Sequence, residues 1–308
     1  MATRQRHNAI LLMVKETEYG TAVTTPTDKF PDQFVPNIDY NKIQLPYKTQ
    51  TLEPQAASVV QGRQMHTFQT TGYLTASHGI LFEAFFSAAT YALQTSDGGY
   101  SYTIYYAYPA SSSDAGDGFK CTGCRLQDLV LSKDGEFWRY TATWRAKEID
   151  PEQSLDGLTL TTITDTTAPE ELPCLFQYTT CDLLDDAAVA EMLDMTVELH
   201  NIFASDDVSF TNNQDRQRDV ICGVNCKISG RVLYDTVKDA TVYDNIWGSL
   251  KEDKINILDG DDEGFNIVTW GKYAGYTLPD EDMCLYETPF EKEIYGNSSN
   301  TAITVTET

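Results

Sequence analysis

The stretch "HTFQTTGYLTASHGILFEAFFSA" spans residues 66–88, and "NCKISGRVLYDTVKDATVYDNIWGSL" spans residues 225–250. In both stretches, alternating residues that predict a β-strand run through a glycine, and apolar residues at helical spacing follow. The glycines, Gly72 and Gly230, are 158 residues apart. Three apolar residues of the first helical pattern recur 161 residues later in the second: Leu81, Phe85 and Ala89 match Val242, Ile246 and Leu250. The sequence therefore predicts an internal repeat of one strand–helix unit.

The flanking sequence extends this repeat. Apolar residues at Leu193, Met195, Val197 and Leu199 alternate with polar ones and predict a half-buried strand before the second unit, and residues 38–45 are a looser counterpart before the first. Each half then reads strand, long polar loop, strand, helix and three strands. The Thr-rich, Pro-ended residues 156–173 predict a linker. We therefore expect a mostly β protein with flanking helices, with domains at residues 1–155 and 174–308.

The charge of the chain is unevenly distributed. The net charge of −24 comes from 22 basic and 46 acidic residues. Residues 1–150 hold 13 basic and 15 acidic residues, so residues 151–308 hold 9 and 31. A chain this acidic repels phosphates, which argues against general nucleic-acid binding but allows DNA to pass nearby without sticking. Solubility in a salty cytoplasm is an equally good explanation of the acidity.

Neither a secretory signal nor a catalytic motif is apparent. The apolar run at residues 9–14 is too short for a signal-peptide core or a membrane span, so we expect a cytosolic protein with its seven cysteines reduced. The four histidines form no known metal or catalytic motif, so we predict no enzyme activity and no cofactor.

Two short motifs could suggest a metal site. "CTGC" at residue 121 and "CGVNC" at residue 222 could supply four thiolates to zinc, but alternation puts Cys121 and Cys124 on opposite faces of a strand and Cys222 and Cys226 on an apolar face. "DGDDEG" from Asp259 resembles the start of a calcium loop, but Trp270 stands where the closing Glu should be, so we expect an acidic turn. We therefore predict no metal.

The order of several segments resembles the tail-tube proteins of long, non-contractile-tailed bacteriophages. The opening "NAILLMVKETEYGTAVTTPT" is typical of that family, and "GRQMHTFQTTGYLT", "LFEAFFSA", "GYSYTIYYAYP", "KCTGCRLQDLVL" and "WRYTATWRAKE" continue the resemblance. It covers residues 8–147 well and continues more weakly to the end. The resemblance implies two tandem tail-tube folds, each a β-sandwich or partial barrel with one helix.

The same resemblance implies a function and partners. We expect a structural virion protein that stacks as rings into the tail tube, the conduit for genome ejection, after assembly in the host cytoplasm. Its partners would be further copies of itself, the tape-measure, tail-terminator and tail-tip proteins, and DNA passing through the lumen without specific binding, with no membrane. Three two-domain chains would close a pseudo-six-fold ring. The alternative is a β-rich tail-tip, baseplate or receptor-binding module.

Two sets of residues are expected to carry this function. Alternation predicts that one polar face lines the channel, and we expect its potential to be negative unless Lys227 and Arg231 offset Asp194 and Glu198. The residues proposed for this lumen are Gln69, Thr71, Asp194, Thr196, Glu198, Lys227, Ser229 and Arg231. The long loops are expected to be mobile in the monomer and to reach the next ring. Their contact candidates are Thr49, Thr51, Glu53, Gln61, Arg63, Asp206, Asp207, Asn212, Asp215, Arg216 and Arg218.

Overall fold

Antiparallel strands form nearly all of the regular structure in a computed structural model of the chain. The mostly β prediction is therefore confirmed. The structure describes residues 9–30, 32–37, 40–44, 59–64, 66–87, 99–108, 116–151, 155, 158, 172–182, 192–203, 221–234, 250–276, 286–296 and 301–308. The predicted second helix, at Val242 and Ile246, lies outside this part of the chain, as does Ala89.

The strands of the N-terminal part are β1 (Ile10–Lys15), β2 (Asp28–Phe30), β3 (Gln33–Asn37), β4 (Tyr40–Gln44), β5 (Val59–Gln64), β6 (His66–Tyr73), β7 (Tyr102–Tyr108), β8 (Asp117–Asp134), β9 (Phe137–Ala146) and β10 (Glu148–Asp150). Helix α1 (Gly79–Phe86) lies between β6 and β7. The C-terminal part contributes β11 (Thr180–Cys181), β12 (Met192–Phe203), β13 (Ile221–Tyr234), β14 (Lys251–Leu258), β15 (Gly264–Tyr276), β16 (Tyr286–Ile294) and β17 (Ile303–Glu307). We call β1–β10 with α1 the first repeat and β11–β17 the second repeat.

The two repeats share one order of strand pairing. In the first, neighbouring strands run β3-β6-β9-β8-β7-β1, and β10 also pairs with β8. In the second they run β12-β13-β16-β15-β14-β11, and β17 also pairs with β15. Each strand of one path thus has a counterpart at the same place in the other.

The repeated glycines mark equivalent packing positions. Gly72 in β6 pairs with Tyr140 of β9, and Gly230 in β13 pairs with Phe290 of β16. A Cβ atom at Gly72 would lie 3.2 Å from the Tyr140 ring, and one at Gly230 would lie 3.0 Å from the Phe290 ring. Closer than either ring, such a Cβ would meet the Asp32 carboxylate at Gly72 and the Asp194 main-chain oxygen at Gly230, so the small residue makes room for these groups as well as for an aromatic ring.

The alternation predicted from the sequence decides which side chains reach the core. Met195, Val197 and Leu199 of β12 are buried, as are Phe68 and Thr70 of β6. The chain turns between β8 and β9 at residues 135–136, with Gly135 at φ +64°. A single cluster of buried apolar side chains includes residues of both repeats. Strand pairing between β8 and β12 joins the repeats into one sheet.

Part of the first predicted loop is a strand. Residues 59–64, which include Gln61 and Arg63, form β5 and pair with β4, with Lys42 opposite Gln61. At these two residues the structure therefore has a strand where a loop was predicted, because β4 and β5 continue the β3–β6 hairpin. The other loop candidates, namely Thr49, Thr51, Glu53, Asp206, Asp207, Asn212, Asp215, Arg216 and Arg218, lie outside the described residues.

Candidate functional site

The eight residues predicted to line a channel lie on one face of the sheet. Thr196 and Glu198 of β12 stand opposite Ser229 and Lys227 of β13. Directly opposed residues on antiparallel strands point to the same side. By the same rule, Thr196 shares this face with Ser132 of β8. The pairing of β8 with β9 and of β9 with β6 extends the face to β6. The structure therefore brings together Gln69, Thr71, Asp194, Thr196, Glu198, Lys227, Ser229 and Arg231, and we call this surface the polar face.

Charges on the polar face are paired. The Arg231 guanidinium lies 2.6 Å from the Asp194 carboxylate, and Lys227 Nζ lies 2.9 Å from Glu291 Oε2. The hydrogen bond to Glu291 raises the pKa of the Lys227 ammonium, which holds the lysine charged. The bases at Lys227 and Arg231 thus share the face with the acids they were expected to offset. The described part of this face therefore carries bases beside its acids, so it does not hold the excess acid of residues 151–308 as a separate cluster.

A ladder of main-chain pairs connects the two repeats. Residues 196–200 of β12 pair antiparallel with residues 128–132 of β8, and the side chains of His200 and Asp128 are in contact across this ladder. The buried Asn201 side chain donates hydrogen bonds to the main-chain oxygens of Phe85 at 3.0 Å and Leu126 at 2.9 Å. Strand β12 is therefore bonded to both β8 and the end of α1.

Helix α1 extends this junction into the core. Its Phe82 ring packs against the Phe265 ring of β15 at a centroid distance of 4.7 Å, and neither side chain is exposed. The helix of the first repeat thus covers the start of β15 in the second. Burial of two aromatic side chains of this size is a strong apolar contribution to the contact.

A second connection runs through residues 172–178. The Cys174 amide donates to the Leu74 oxygen at 2.7 Å, and the Trp138 amide donates to the Cys174 oxygen at 2.9 Å. The next amide, at Leu175, donates to the Leu258 oxygen of β14 at 3.0 Å. This segment therefore bridges the first repeat to the second at a place separate from the β8–β12 ladder.

The "KETEYG" motif builds a buried carboxylate site. Each oxygen of Glu16 accepts two hydrogen bonds: Oε1 accepts from Thr103 Oγ1 at 2.9 Å and the Gly123 amide at 2.8 Å. Its Oε2 accepts from Ser101 Oγ at 2.7 Å and the Gly20 amide at 2.8 Å. All of these donors belong to the chain itself, so Glu16 fixes the loop after β1 to β7 and β8.

Another buried acid, Asp32, lies between β2 and β3 and contacts His78, just before α1. Its Oδ2 accepts from Tyr140 Oη at 2.5 Å and lies 3.1 Å from His78 Nε2. His78 Nδ1 is 2.8 Å from Thr75 Oγ1. Burial, with the Asp32 charge, raises the pKa of the Tyr140 phenol well above its ordinary value. The group therefore links the residue before β3 to β9 and to the segment that leads into α1.

The second repeat contains a buried ion pair. Lys292 Nζ donates to Asp253 Oδ2 at 2.5 Å and to the Thr269 carbonyl oxygen at 3.2 Å, and neither charged side chain is exposed. Tyr273 Oη donates to the same Asp253 oxygen at 2.9 Å. Burial lowers the pKa of Lys292, and the Asp253 charge opposes that shift. The Lys292 ammonium thus has several acceptors, and these contacts join β14, β15 and β16.

The cysteines do not follow the predicted alternation. Cys121 and Cys124 are both fully buried and interact through their side chains, because an extra residue near Gly123, at φ +62°, forms a bulge in β8. The expectation that they face opposite sides is therefore wrong. Cys222 is exposed instead of lying on the apolar face, whereas burial raises the pKa of Cys226 to about 12.

The acidic segment at Asp259 forms a turn between β14 and β15, as predicted. Asp259 Oδ1 accepts the amides of Asp261 at 2.8 Å and Glu263 at 3.0 Å, which closes the turn with its own side chain. Gly260 to Glu263 are exposed. Among the described residues, no three His, Cys, Asp or Glu side chains are grouped to hold a metal ion.

For several strands the described residues form a ladder along one edge, as in β2, β10, β11 and β17. The same holds for two further edges, those of β3, which pairs with β6, and of the 272–276 end of β15, which pairs with β16. Val35 on the first of these edges is 52% exposed. Beside it lies a groove of about 600 Å³ lined by Gln33–Pro36, Tyr106, Tyr108 and Phe119. Unpaired edges offer main-chain groups to another chain.

Several of these residues were missed from the sequence. Asn201 and Lys292 occupy core positions of strands whose alternation was otherwise clear, and a polar residue at an apolar position was the available signal. Glu16 stands in the quoted N-terminal motif but was not assigned a role. The open edges depend on which strands pair, and the sequence carried no signal for that.

No helix among the described residues is long and apolar enough to cross a membrane. The sequence matches no protein-family model, and a search of curated proteins found no relative.

Proposed function

We propose that the chain is a structural subunit that assembles with copies of itself into a phage tail tube through its sheet edges. The observation that carries the proposal is the repeated pairing order: the chain joins its two repeats edge to edge through β8 and β12, and no described strand pairs with the corresponding edges of β3 and β15. The resemblance of residues 8–147 to tail-tube proteins is the reason for proposing a tail tube as the assembly.

The number of chains per ring follows from the repeat. If each repeat stands for one subunit of a six-fold ring, three chains complete it, and a closed ring leaves no unpaired edge. We expect purified protein, alone or seeded, to form tubes with three copies of 34.5 kDa per ring. Cryo-electron microscopy of the tubes counts the copies. Six copies per ring would contradict the tandem-fold assignment, and a monomer that binds host cells would favour the receptor-binding alternative.

The polar face is the surface we assign to the channel. Asp194 and Glu198 neighbour the bases Arg231 and Lys227, so the wall offers DNA a balanced surface without a basic cluster. Replacing both acids, as Asp194→Lys with Glu198→Lys, would place four cations together and retain phosphates. We expect virions carrying this variant to assemble and to eject DNA more slowly in a dye-release assay.

A control with the same charge change separates this effect from net charge. Asp261→Lys with Asp262→Lys alters two exposed acids in the turn between β14 and β15, outside the polar face. Ejection at the parental rate is expected for this control. Equal rates of DNA ejection for the two double variants would contradict the assignment of the polar face to the channel wall.

Contacts between stacked rings are assigned to the long loops. Deleting residues 49–58 or 205–218 is expected to leave a folded monomer that forms no tube, because ordering these segments at assembly would provide the stacking contact. Circular dichroism reports folding, and electron microscopy reports tubes. Normal tubes from both deletions would contradict this assignment.

A further inference from the structure

The β8–β12 ladder is a template for a contact between two chains. In it, Thr196 to His200 pair with Ser132 to Asp128, antiparallel and without a register shift. Both strands have counterparts in the other repeat, β3 for β12 and β15 for β8. Pairing those counterparts would join the second repeat of one chain to the first repeat of the next.

The counterpart of the β12 segment is the whole of β3. Gly72 and Gly230 are equivalent, so Thr71 corresponds to Ser229, and their partners Gln33 and Thr196 correspond in turn. Continuing along the strands makes Gln33–Asn37 equivalent to residues 196–200. Burial agrees, because Phe34 and Val197 are both buried while Val35 and Glu198 are both exposed.

The counterpart of the β8 segment is the end of β15. Tyr140 and Phe290 face the two equivalent glycines, and their partners on the next strand are Leu131 and Tyr276. Further along, Asp128 pairs with Thr143 and Lys272 pairs with Glu293, the residue equivalent to Thr143. Residues 128–131 therefore correspond to residues 272–276, which include one extra residue at a register shift.

An aromatic position supports the same assignment. Phe119 pairs with Tyr106 at the start of β8, as Phe265 pairs with Ile257 at the start of β15. Phe265 is fully buried beneath Phe82 of the other repeat, whereas Phe119 remains half-buried and lines the groove beside β3. The groove lies where the neighbouring repeat would sit if the internal junction were repeated.

We propose that β3 of one copy pairs antiparallel with the 272–276 end of β15 of a second copy, with Asn37 opposite Lys272, Pro36 opposite Tyr273 and Phe34 opposite Tyr276. This contact rests on the proposed function and specifies the surfaces that close the ring. It is heterologous, since each chain contributes two different edges, so it generates rings or helical filaments, not isolated dimers. Pro36 has no N–H, which is typical of an edge strand, so the proposed ladder lacks one main-chain donor at this position.

Engineered cysteines test this register. In a Cys222→Ser background, which removes an exposed thiol, Asn37→Cys combined with Lys272→Cys places two thiols opposite each other. The control pairs Gln33→Cys with Lys272→Cys, which moves one thiol about 13 Å along the strand, too far for a disulfide. Tubes assembled under reducing conditions are then oxidised and run on a non-reducing gel.

We expect dimers and trimers from the matched pair, a ladder that ends at the trimer, and loss of both products in the control and in Cys222→Ser alone. Tubes of three-chain rings without a cross-link in the matched pair, or with equal cross-linking in the control, would overturn this register while leaving the proposed function intact. A chain that stays monomeric at all concentrations would overturn both.

Discussion

Asn201 Nδ2 lies 3.0 Å from the main-chain oxygen of Phe85, so a side chain of the second repeat bonds to the last turn of the helix in the first. It also donates to Leu126. Truncation in Asn201→Ala would leave two buried carbonyl oxygens without this donor. We expect the free energy of unfolding to fall by about 1–3 kcal/mol in urea titrations. Asn225→Ala, at an exposed position of β13, is the control and should change little.

Glu16→Gln is expected to destabilise the first repeat. A glutamine turns one acceptor oxygen into an NH₂ group that faces donors, so two of the four hydrogen bonds are lost. Hydrogen bonds to a charged group contribute about 1.5–3 kcal/mol, and we expect a loss of that size in denaturant unfolding. Glu18→Gln, on the exposed side of the same loop, should match the parent. Equal stability of the two variants would exclude a structural role for the Glu16 carboxylate.

Removing one member of the buried pair of Lys292 and Asp253 should lower the free energy of unfolding more than removing both members. Lys292→Met leaves the buried Asp253 carboxylate with Lys251 Nζ, 3.7 Å from its Oδ1, as the remaining cation, and we expect a loss of about 3–5 kcal/mol. The double variant Lys292→Met with Asp253→Leu should recover part of that loss. The exposed pair Lys227 and Glu291 is the comparison, where a double-mutant cycle should give a much smaller coupling. Additive losses at the buried pair would contradict the prediction.

Measurements of stability at alkaline pH should show the effect of the raised pKa of Tyr140. Because its pKa is raised in the folded state, mainly by burial, the neutral phenol contributes stability below the unfolded pKa of about 10. That contribution is lost as the pH rises further, since only the unfolded chain releases the proton easily. Tyr140→Phe should therefore lose stability less steeply between pH 10 and 12 than the parent. Tyr295→Phe, at a residue that is 41% exposed, should follow the parental curve.

Thiol labelling should distinguish two neighbouring cysteines. Only the thiolate reacts, and a pKa of about 12 leaves Cys226 with a thiolate fraction of about one in ten thousand at pH 8. Iodoacetamide should therefore modify the exposed Cys222 and spare Cys226, with the sites resolved by tandem mass spectrometry. Labelling in denaturant should modify both. Equal labelling in the folded protein would contradict the burial of Cys226.

Local patterns in the sequence predicted much of the fold. Alternation placed Met195, Val197 and Leu199 in the core, and it placed Lys227 and Arg231 together on the opposite face. These predictions succeeded because a regular strand has a period of two.

The pattern failed where the backbone departed from that period or where polar residues are buried. The bulge at Gly123 reversed the side of one cysteine. The three strands predicted after the second helix were residues 265–270, 284–294 and 301–308. Strand β14 was missed because its inward positions include Asp253, whose partner Lys292 is 39 residues away in the sequence. The β8–β12 pairing was not predictable, since a contact between edges depends on the tertiary arrangement of both repeats.

The β8–β12 junction forms inside one polypeptide, so its formation does not depend on protein concentration. A ring of three chains would then need three bimolecular contacts where six single-repeat subunits would need six, and dilution could separate only those three. Because the two kinds of contact are encoded by different residues, mutation can strengthen the internal one without altering how readily chains meet. If the proposed ring forms, fusion of the repeats would thus separate the stability of the subunit from the timing of its polymerisation.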